Sequence, residues 1–394
     1  MGLISEIFKD SGTDNYHLIS LDLGTEVVKV LVFYVDSKEK KVVITGIGKE
    51  PHKAGNVHGS AILNKNGVIS TCKKAIGKAK KMAGINLKSK KRMRAIIGVS
   101  GELAKITAET FCYERKNHQV KINQFELKDL IKKANRKISN SIERKTGRKN
   151  SGKKSGVKFI NLDVSEISID GYKVANPLGF KGKKIEVNAR GTYMLANNFD
   201  LIKSISDSLN LNLINIVYNP RAVIRSIVGE SEAESSAIFI DIGGNITDVA
   251  LAKNKNVEII KMFVLGGRIF AKGMPSGNDF KFNKDKNRKN GQRFNYNLWL
   301  SGVELSLKEF SKNKLLPSKI FVCGGGSQFP EIAGILSKLL STKYLPFAGK
   351  PEIKFIHPKD IARAIDQTGK LASPQDVTPI SIAVSVLDSM SLNI

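Results

Sequence analysis

The sequence predicts an α/β fold built from two similar halves. "HLISLDLGTEVVKVLVFYV" (17–35) has the pattern of a strand, a tight turn after an aspartate, and a second strand. "IFIDIGGNITDVALA" (238–252) repeats that pattern, and "KIFVCGGGSQFPEIAGILSKLL" (319–340) adds a strand, a glycine turn and a helix. A chain of 394 residues is long for one compact core, so two or more domains are expected.

The first half extends this hairpin into a larger sheet. "KVVITGIGKE" (41–50) predicts a third strand, "AILNKNGVISTCKKAIGKAKKMAG" (61–84) has helical spacing, and "RAIIGVSG" (94–101) predicts a short buried strand. The first subdomain therefore covers residues 17–104 and is completed by 196–230, where two helices flank the strand "INIVYN".

Residues 105–195 interrupt this subdomain as a small α+β insert. A basic loop (143–158) separates a helix from the strands "FINLDVSEISIDGYKV" (159–174) and "KIEVNARGTYML" (184–195). The helix, "INQFELKDLIKKANRKISNSI" (122–142), is amphipathic, and its predicted apolar side consists of Phe125, Leu127, Leu130, Ile131, Ala134 and Ile138.

The second subdomain covers residues 231–270 and 318–394. It contains the repeated hairpin, the strand "VEIIKMFVLGG" and the segment "VTPISIAVSVLDSM", which is a strand or a helix. Residues 271–317 form a reduced subdomain, in which 271–296 predict a polar loop and "NLWLSGVELSLKEFSKN" predicts a helix.

The charge is unusual for a globular chain. A formal net charge of +28 favours anionic partners, although scattered solvated lysines explain it equally well. No helix-turn-helix, zinc-finger or RNA-recognition pattern is present, so specific nucleic-acid binding is not expected. The sequence has no apolar run of about 18 residues and no secretory signal, and Cys72, Cys112 and Cys323 lack metal-binding spacing. A cytoplasmic protein is expected.

Three glycine turns contain the candidate functional residues. They are Asp22-Leu23-Gly24-Thr25 with Lys29 after it, Asp241-Ile242-Gly243-Gly244 with Thr247 and Asp248 after it, and Gly324-Gly325-Gly326-Ser327. Missing Cβ atoms let backbone N–H groups approach phosphate oxygens. Acids at strand ends suit Mg²⁺ held through water, and lysine supplies a point charge.

The order of these turns resembles the actin, hexokinase and heat-shock chaperone superfamily of ATPases, and within it FtsA, with PilM second. "IIGVSGELAK" (96–105), "ISIDGYKVANPLGFKGKKIEV" (167–187), "MFVLGGRIF" (262–270) and "DVTPISIAV" (376–384) are FtsA-like. The resemblance implies an actin-like two-lobed ATPase fold with an SHS2-type insert in the first lobe. It also implies ATP and Mg²⁺ in the cleft, self-association into filaments, and attachment to the inner membrane. The implied partner is FtsZ.

The resemblance also assigns roles to the turns. Asp241 would act in catalysis near Mg²⁺ or the attacking water, and Asp22 and Asp241 would hold Mg²⁺ through water. The implied nucleotide-binding residues are Asp22, Gly24, Thr25, Lys29, Gly243, Gly244, Asn245, Thr247, Gly324, Gly325, Gly326 and Ser327.

The sequence departs from the family in three places. Asn245 and Ile246 replace a glycine and a hydroxyl residue in the second turn, so binding is expected to survive better than hydrolysis. Residues 271–296 lack the Ala-Glu-x-x-Lys helix that touches the nucleotide in the family. The family's C-terminal membrane helix has no counterpart before Ile394. A helix in "MGLISEIFKD" is a candidate replacement, with a frayed terminus as the alternative; its apolar face would be Leu3, Ile4, Ile7 and Phe8.

The leading hypothesis is an ATP-binding scaffold of cell division, at most a slow ATPase, peripheral to the inner face of the membrane at the septum. A PilM-like protein that binds a membrane-protein peptide is the alternative. Two further hypotheses are a small-molecule kinase and a nucleotide-free pseudo-ATPase.

Overall fold

A computed structural model of the chain describes residues 16–87, 92–145, 156–174, 176–228, 236–271, 286–312, 314–341 and 344–391. These residues form two compact units. The larger unit contains the residues up to Gly101 and Asp207–Leu387. The smaller unit contains Glu102–Ser206, here named the insert, and the residues from Asp388 onward.

The strands of the described chain fall in groups that are separated by helices. In chain order the strands are β1 (Leu18–Leu23), β2 (Val27–Asp36), β3 (Lys41–Pro51), β4 (Val57–His58), β5 (Ala61–Ile62), β6 (Met93–Val99), β7 (Ala104–Glu114), β8 (Val157–Ile169), β9 (Tyr172–Val174), β10 (Lys184–Leu195), β11 (Leu211–Tyr218), β12 (Ser236–Ile242), β13 (Thr247–Lys253), β14 (Asn256–Phe263), β15 (Lys319–Cys323), β16 (Glu352–Phe355) and β17 (Ala364–Asp366). The helices are α1 (Lys65–Met82), α2 (Gln124–Lys145), α3 (Ala196–Ser208), α4 (Asn219–Ile227), α5 (Gly267–Ala271), α6 (Lys286–Phe310), α7 (Glu331–Leu340) and α8 (Val377–Ser391).

The larger unit contains two large sheets that share a five-stranded arrangement, to which β17 adds an edge strand in the first, and a separate two-stranded sheet, β4-β5. The first has the strand order β11-β6-β1-β2-β3-β17, and the second has β14-β13-β12-β15-β16. In each sheet an antiparallel meander (β1-β2-β3 or β12-β13-β14) is extended by parallel strands on the other side of its first strand. The prediction that the two halves resemble each other is therefore confirmed. The topology brings the turn after β1 and the turn after β12 to equivalent places in the two sheets.

Helix α1 lies directly against the first sheet. Its first turn is capped by Asn64, whose side chain accepts the Gly67 N–H at 2.9 Å. Two glycines in β3 make the close approach possible: a Cβ at Gly48 would lie 1.8 Å from the Ala75 carbonyl oxygen, and one at Gly46 would lie 2.2 Å from that of Ala79. A larger side chain at either position would force the helix away from the sheet.

Helix α6 covers the second sheet and begins earlier than predicted. The loop predicted over 271–296 is wrong from residue 286 onward, where α6 already runs. Its fully buried apolar residues, among them Trp299, Val303 and Leu307, lie in the C-terminal part. The first turns, "KNRKNGQRF", have no apolar spacing to reveal them, although their lysines, arginines and glutamine are good helix formers.

The insert is a four-stranded sheet, β7-β10-β8-β9, with α2 packed on it. Its core includes Leu130, Ala134 and Ile138 from the predicted apolar side of the helix, together with Ile185 and Val187 from β10. Phe125 was predicted on the same side and is instead 84% exposed. With about 3.6 residues per turn, Phe125 lies on the opposite side of α2 from Leu130, Ala134 and Ile138, so its place on the predicted apolar side was wrong.

Candidate functional site

The turns after β1 and β12 touch each other within the larger unit. The backbone N–H of Asn245 donates to the Thr25 hydroxyl oxygen at 3.1 Å. A Cβ built on Gly244 would lie 2.2 Å from Cγ of Glu26, so the glycine is required for this approach. The two turns that sequence analysis singled out are therefore brought together.

A buried ion pair lies at the base of the first turn. Lys29 Nζ is 3.2 Å from Asp22 Oδ2, and Asn219 Nδ2 donates to the other carboxylate oxygen at 3.3 Å. Asp22 is 3% exposed. Burial by itself lowers the pKa of Lys29, but the carboxylate of Asp22, with smaller contributions from Asp241 and Asp376, raises it above its ordinary value. Lys29 is therefore a fixed positive charge at physiological pH.

Asp241 lies at the end of β12, close enough to Asp22 and Lys29 to interact electrostatically with both. Its Oδ2 accepts a hydrogen bond from the Thr378 hydroxyl of α8 at 3.1 Å. Burial raises the pKa of Asp241, and the negative charge of Asp22 raises it further, whereas Lys29 lowers it. The net direction is upward, so the ionised carboxylate is held at a cost that a bound cation would relieve.

Substituting Asp241→Asn is expected to raise the melting temperature at neutral pH by a few degrees. The folded state binds the proton of Asp241 more tightly than the unfolded state, so stability falls as pH rises from 3.8 through the raised pKa. The amide removes that dependence and keeps an acceptor for Thr378. Thermal unfolding at several pH values checks this, with Asp207→Asn, an exposed carboxylate, as the control. A lower melting temperature for Asp241→Asn at neutral pH would contradict it.

The third glycine turn packs against the second. Gly324 has φ +91°, and a Cβ there would lie 2.2 Å from Oδ1 of Asp241, while one on Gly326 would lie 2.4 Å from Cγ2 of Ile242. Gly325 is more open, since its Cβ would meet Gln375 at 3.8 Å. The N–H and hydroxyl of Ser327 both return to the Gly324 carbonyl, at 3.2 and 2.7 Å. Gly325 is therefore the member of this turn that is free to face a ligand.

Two residues of the second turn point into the core. The Thr247 hydroxyl donates to the Leu265 carbonyl at 2.7 Å and accepts from Trp299 Nε1 at 2.9 Å, and Thr247 is fully buried. Ile246 is 4% exposed. The nucleotide contact predicted for Thr247 does not fit this geometry, because its hydroxyl is hydrogen-bonded to the Leu265 carbonyl and to Trp299 of α6.

Sequence reasoning missed an ion pair that bridges the turns. Arg268 Nη1 lies 3.2 Å from Glu26 Oε1. Arg268 is held in place because its N–H donates to the Gly244 carbonyl, and the N–H of Gly267 donates to the Gly243 carbonyl, both at 2.8 Å. The signal in the sequence was an acid at the tip of a turn otherwise suited to phosphate, together with "LGGR" after β14.

The residues present suit a nucleotide phosphate with Mg²⁺. Within the described part of the chain, the N–H groups of Thr25 and Gly244 form no hydrogen bond and lie at the tips of the two turns. Lys29 supplies positive charge, and Asp22 and Asp241 supply oxygen ligands for a hydrated cation. The donor set is that of an anion nest beside a cation site. The carboxylate of Glu26 also repels phosphate there and, unlike those of Asp22 and Asp241, is not placed as a cation ligand.

The paired sheets and their facing turns define the class of protein, the actin-like ATPase fold. A solved structure described as the PilM-PilN type IV pilus biogenesis complex matches with a TM-score of 0.64, covering 95% of this chain and 99% of that chain at 13% identity. The fold class predicted from the sequence is confirmed.

In sequence the chain is FtsA-like. It is 24% identical over 251 residues to cell division protein FtsA of Streptococcus pneumoniae, covering 63% of this chain and 49% of that protein. It is 22% identical over 270 residues to FtsA of Bacillus subtilis, covering 67% and 55%. The chain thus spans about half the length of the curated relatives it matches. No protein-family model matches the sequence.

Proposed function

We propose that this chain is an actin-like ATP-binding scaffold of the FtsA type that acts in bacterial cell division, with little or no hydrolysis. The observation that carries the proposal is the convergence of two hairpin turns on Lys29, Asp22 and Asp241. The FtsA relatives support the division role.

In this proposal each residue has a role set by its position. The N–H groups of Thr25 and Gly244 would donate hydrogen bonds to phosphate oxygens, and Lys29 would offset their negative charge. Asp22 and Asp241 would hold a hydrated Mg²⁺ ion, which would supply further charge neutralisation when bound. Phosphoryl transfer needs an oriented nucleophile as well as charge neutralisation. Asp241 is the candidate for orienting water, and Ile246 leaves the turn without a hydroxyl there, which favours binding over turnover.

Titration of the purified chain with ATP and Mg²⁺, followed by measurement of phosphate release, tests this proposal. We expect saturable binding with a release rate far below that of a dedicated ATPase. Absence of binding at millimolar nucleotide would contradict the ATP-binding part of the proposal and would favour a nucleotide-free pseudo-ATPase scaffold.

Neutralising Glu26 is expected to tighten nucleotide binding. Removing a negative charge beside the phosphate site in Glu26→Gln should lower the Kd for ATP about tenfold. Arg268→Gln should have the opposite effect, because it leaves the Glu26 carboxylate unpaired at the same site. Binding calorimetry on both variants checks the prediction, with Glu304→Gln on α6 as a surface control. A shift of both variants in the same direction would contradict an electrostatic role for Glu26.

The partners belong to the same proposal. FtsZ is the first partner to test, followed by self-association into filaments and attachment to the inner face of the membrane, with the insert as an SHS2-type module.

The N-terminal residues Leu3, Ile4, Ile7 and Phe8 lie outside the described residues. None of the helices in the described ranges is long and apolar enough to cross a membrane. Deleting residues 1–10 and measuring vesicle binding tests the N-terminal anchor.

A PilM-like role is the second candidate, because the match to the PilM-PilN complex covers nearly the whole of both chains. It predicts a complex with a short peptide of a membrane protein and none with FtsZ. Co-purification with FtsZ or with such a peptide separates the two.

A further inference from the structure

Three apolar side chains at one end of the insert project into solvent. Phe125 is 84% exposed, Val120 is 56% exposed and Phe180 is 50% exposed. Together these three residues are named the aromatic tip. Large apolar side chains that are exposed together mark interaction surfaces more often than chance placement does.

Backbone pairing brings the members of the aromatic tip together. The N–H of Ile122 donates to the Phe180 carbonyl, and the N–H of Gly179 donates to the Ile122 carbonyl, both at 2.9 Å. Val120 precedes this pairing by two residues, and Phe125 follows it in the first turn of α2. The three side chains therefore belong to one local structure and not to separate loops.

A buried arginine fixes this local structure. Arg115 is 5% exposed and forms a two-pronged ion pair with Glu126, at 2.7 Å and 2.9 Å. Its remaining N–H groups donate to the carbonyls of Gly182, at 3.1 Å, and Val120, at 2.9 Å. The Arg115 guanidinium thus connects the end of β7, the start of α2, and the two loops that contain Val120 and Gly182. The aromatic tip is therefore ordered in the absence of a partner.

The surroundings of the aromatic tip are strongly basic. Five lysines of these segments are exposed and form no ion pair with any residue in the described ranges: Lys116, Lys121, Lys128, Lys181 and Lys183. Three nearby acids are already engaged, whereas Glu114 at the end of β7 is exposed and contributes a negative charge. Glu126 binds Arg115, Asp129 lies 2.7 Å from Lys133, and Asp170 accepts the backbone N–H groups of Lys183 and Lys184.

We propose that the aromatic tip is a docking surface for an anionic lipid bilayer. A side chain that is 84% exposed projects outward and does not line a groove, so Phe125 suits insertion into a soft interface better than recognition of a peptide. Exposed phenylalanines among lysines match the two requirements of such an interface, apolar insertion and attraction to acidic headgroups. This surface differs from the N-terminal segment and does not depend on nucleotide binding.

Sedimentation of the full chain with lipid vesicles tests the proposal. The vesicles are made either of phosphatidylglycerol and phosphatidylcholine in equal parts or of phosphatidylcholine alone. The wild type should bind the first kind and not the second. Phe125→Ser with Phe180→Ser should reduce binding about tenfold or more, and Lys121→Glu with Lys181→Glu should abolish it at physiological salt. Leu305→Ser on α6, a 67% exposed leucine outside the insert, is the matched control and should bind like the wild type.

A second readout separates insertion from loss of fold. Phe125→Trp introduces a tryptophan at an exposed site, whose emission should shift to the blue with anionic vesicles only, while buried Trp299 contributes a constant background. An unshifted emission, or equal binding by the wild type and the double phenylalanine variant, would overturn the proposal. So would failure of the wild type to bind vesicles, which would leave an acidic peptide as the partner of the aromatic tip.

Discussion

Replacing Lys29 by methionine is expected to abolish ATP binding and to destabilise the larger unit by about 3–5 kcal/mol, the range for breaking a buried ion pair by removing one partner. The methionine preserves most of the stem volume. Among the described residues it leaves the Asp22 carboxylate, whose side chain is 4% exposed, with the Asn219 amide as its one hydrogen-bond partner. Urea unfolding and calorimetric titration with ATP and Mg²⁺ measure the two effects.

A double variant separates stability from binding. Asp22→Asn combined with Lys29→Met removes both charges, so most of the lost stability should return while ATP binding stays absent. Retention of wild-type ATP affinity by Lys29→Met would contradict the proposed role of the lysine. Equal instability of the single and double variants would contradict the view that an uncompensated Asp22 causes the loss.

Replacing Trp299 by alanine is expected to cost about 3–5 kcal/mol of stability, the usual range for truncating a large buried aromatic residue. Trp299 is 0% exposed and packs edge-on against Phe270 at 5.7 Å between ring centroids. The variant also removes the donor to the Thr247 hydroxyl, next to the second turn. Trp299→Phe should cost less, because it keeps much of the packing and loses chiefly the hydrogen bond.

Circular dichroism during urea unfolding is the suitable measurement for these variants, because Trp299 is the single tryptophan and its fluorescence is lost with it. Leu305→Ala, an exposed residue on the same helix, is the control and should change stability by less than about 0.5 kcal/mol. A cost for Trp299→Ala no larger than that of the control would mean that α6 does not support the second sheet as described.

The parts of the fold that sequence predicted are those with a periodic or repeated signal. The two hairpins are visible because each strand is apolar and each turn follows an aspartate, and their repetition predicted two similar halves, each of which contains one large sheet. The start of α6 was missed because its first turns have no repeated apolar spacing that would set a period.

The candidate site was predicted at the level of turns but not of individual side chains. Thr247 belongs to a phosphate motif in sequence. In the structure, its hydroxyl is oriented by a hydrogen bond from Trp299, which lies 52 residues further along the chain. The Glu26–Arg268 pair, 242 residues apart, likewise depends on tertiary structure. The assignment of Phe125 to the core was wrong because helical periodicity places it opposite Ala134 and Ile138, where its exposure is expected.

The central claim is that two facing hairpin turns form a nucleotide site, and calorimetric titration of the full chain with ATP and Mg²⁺ tests it most directly. We predict saturable binding by the wild type, tighter binding by Glu26→Gln, and none by the folded Asp22→Asn, Lys29→Met double variant. Identical titration curves for the wild type and the double variant, or no heat from the wild type at millimolar ATP, would contradict the claim.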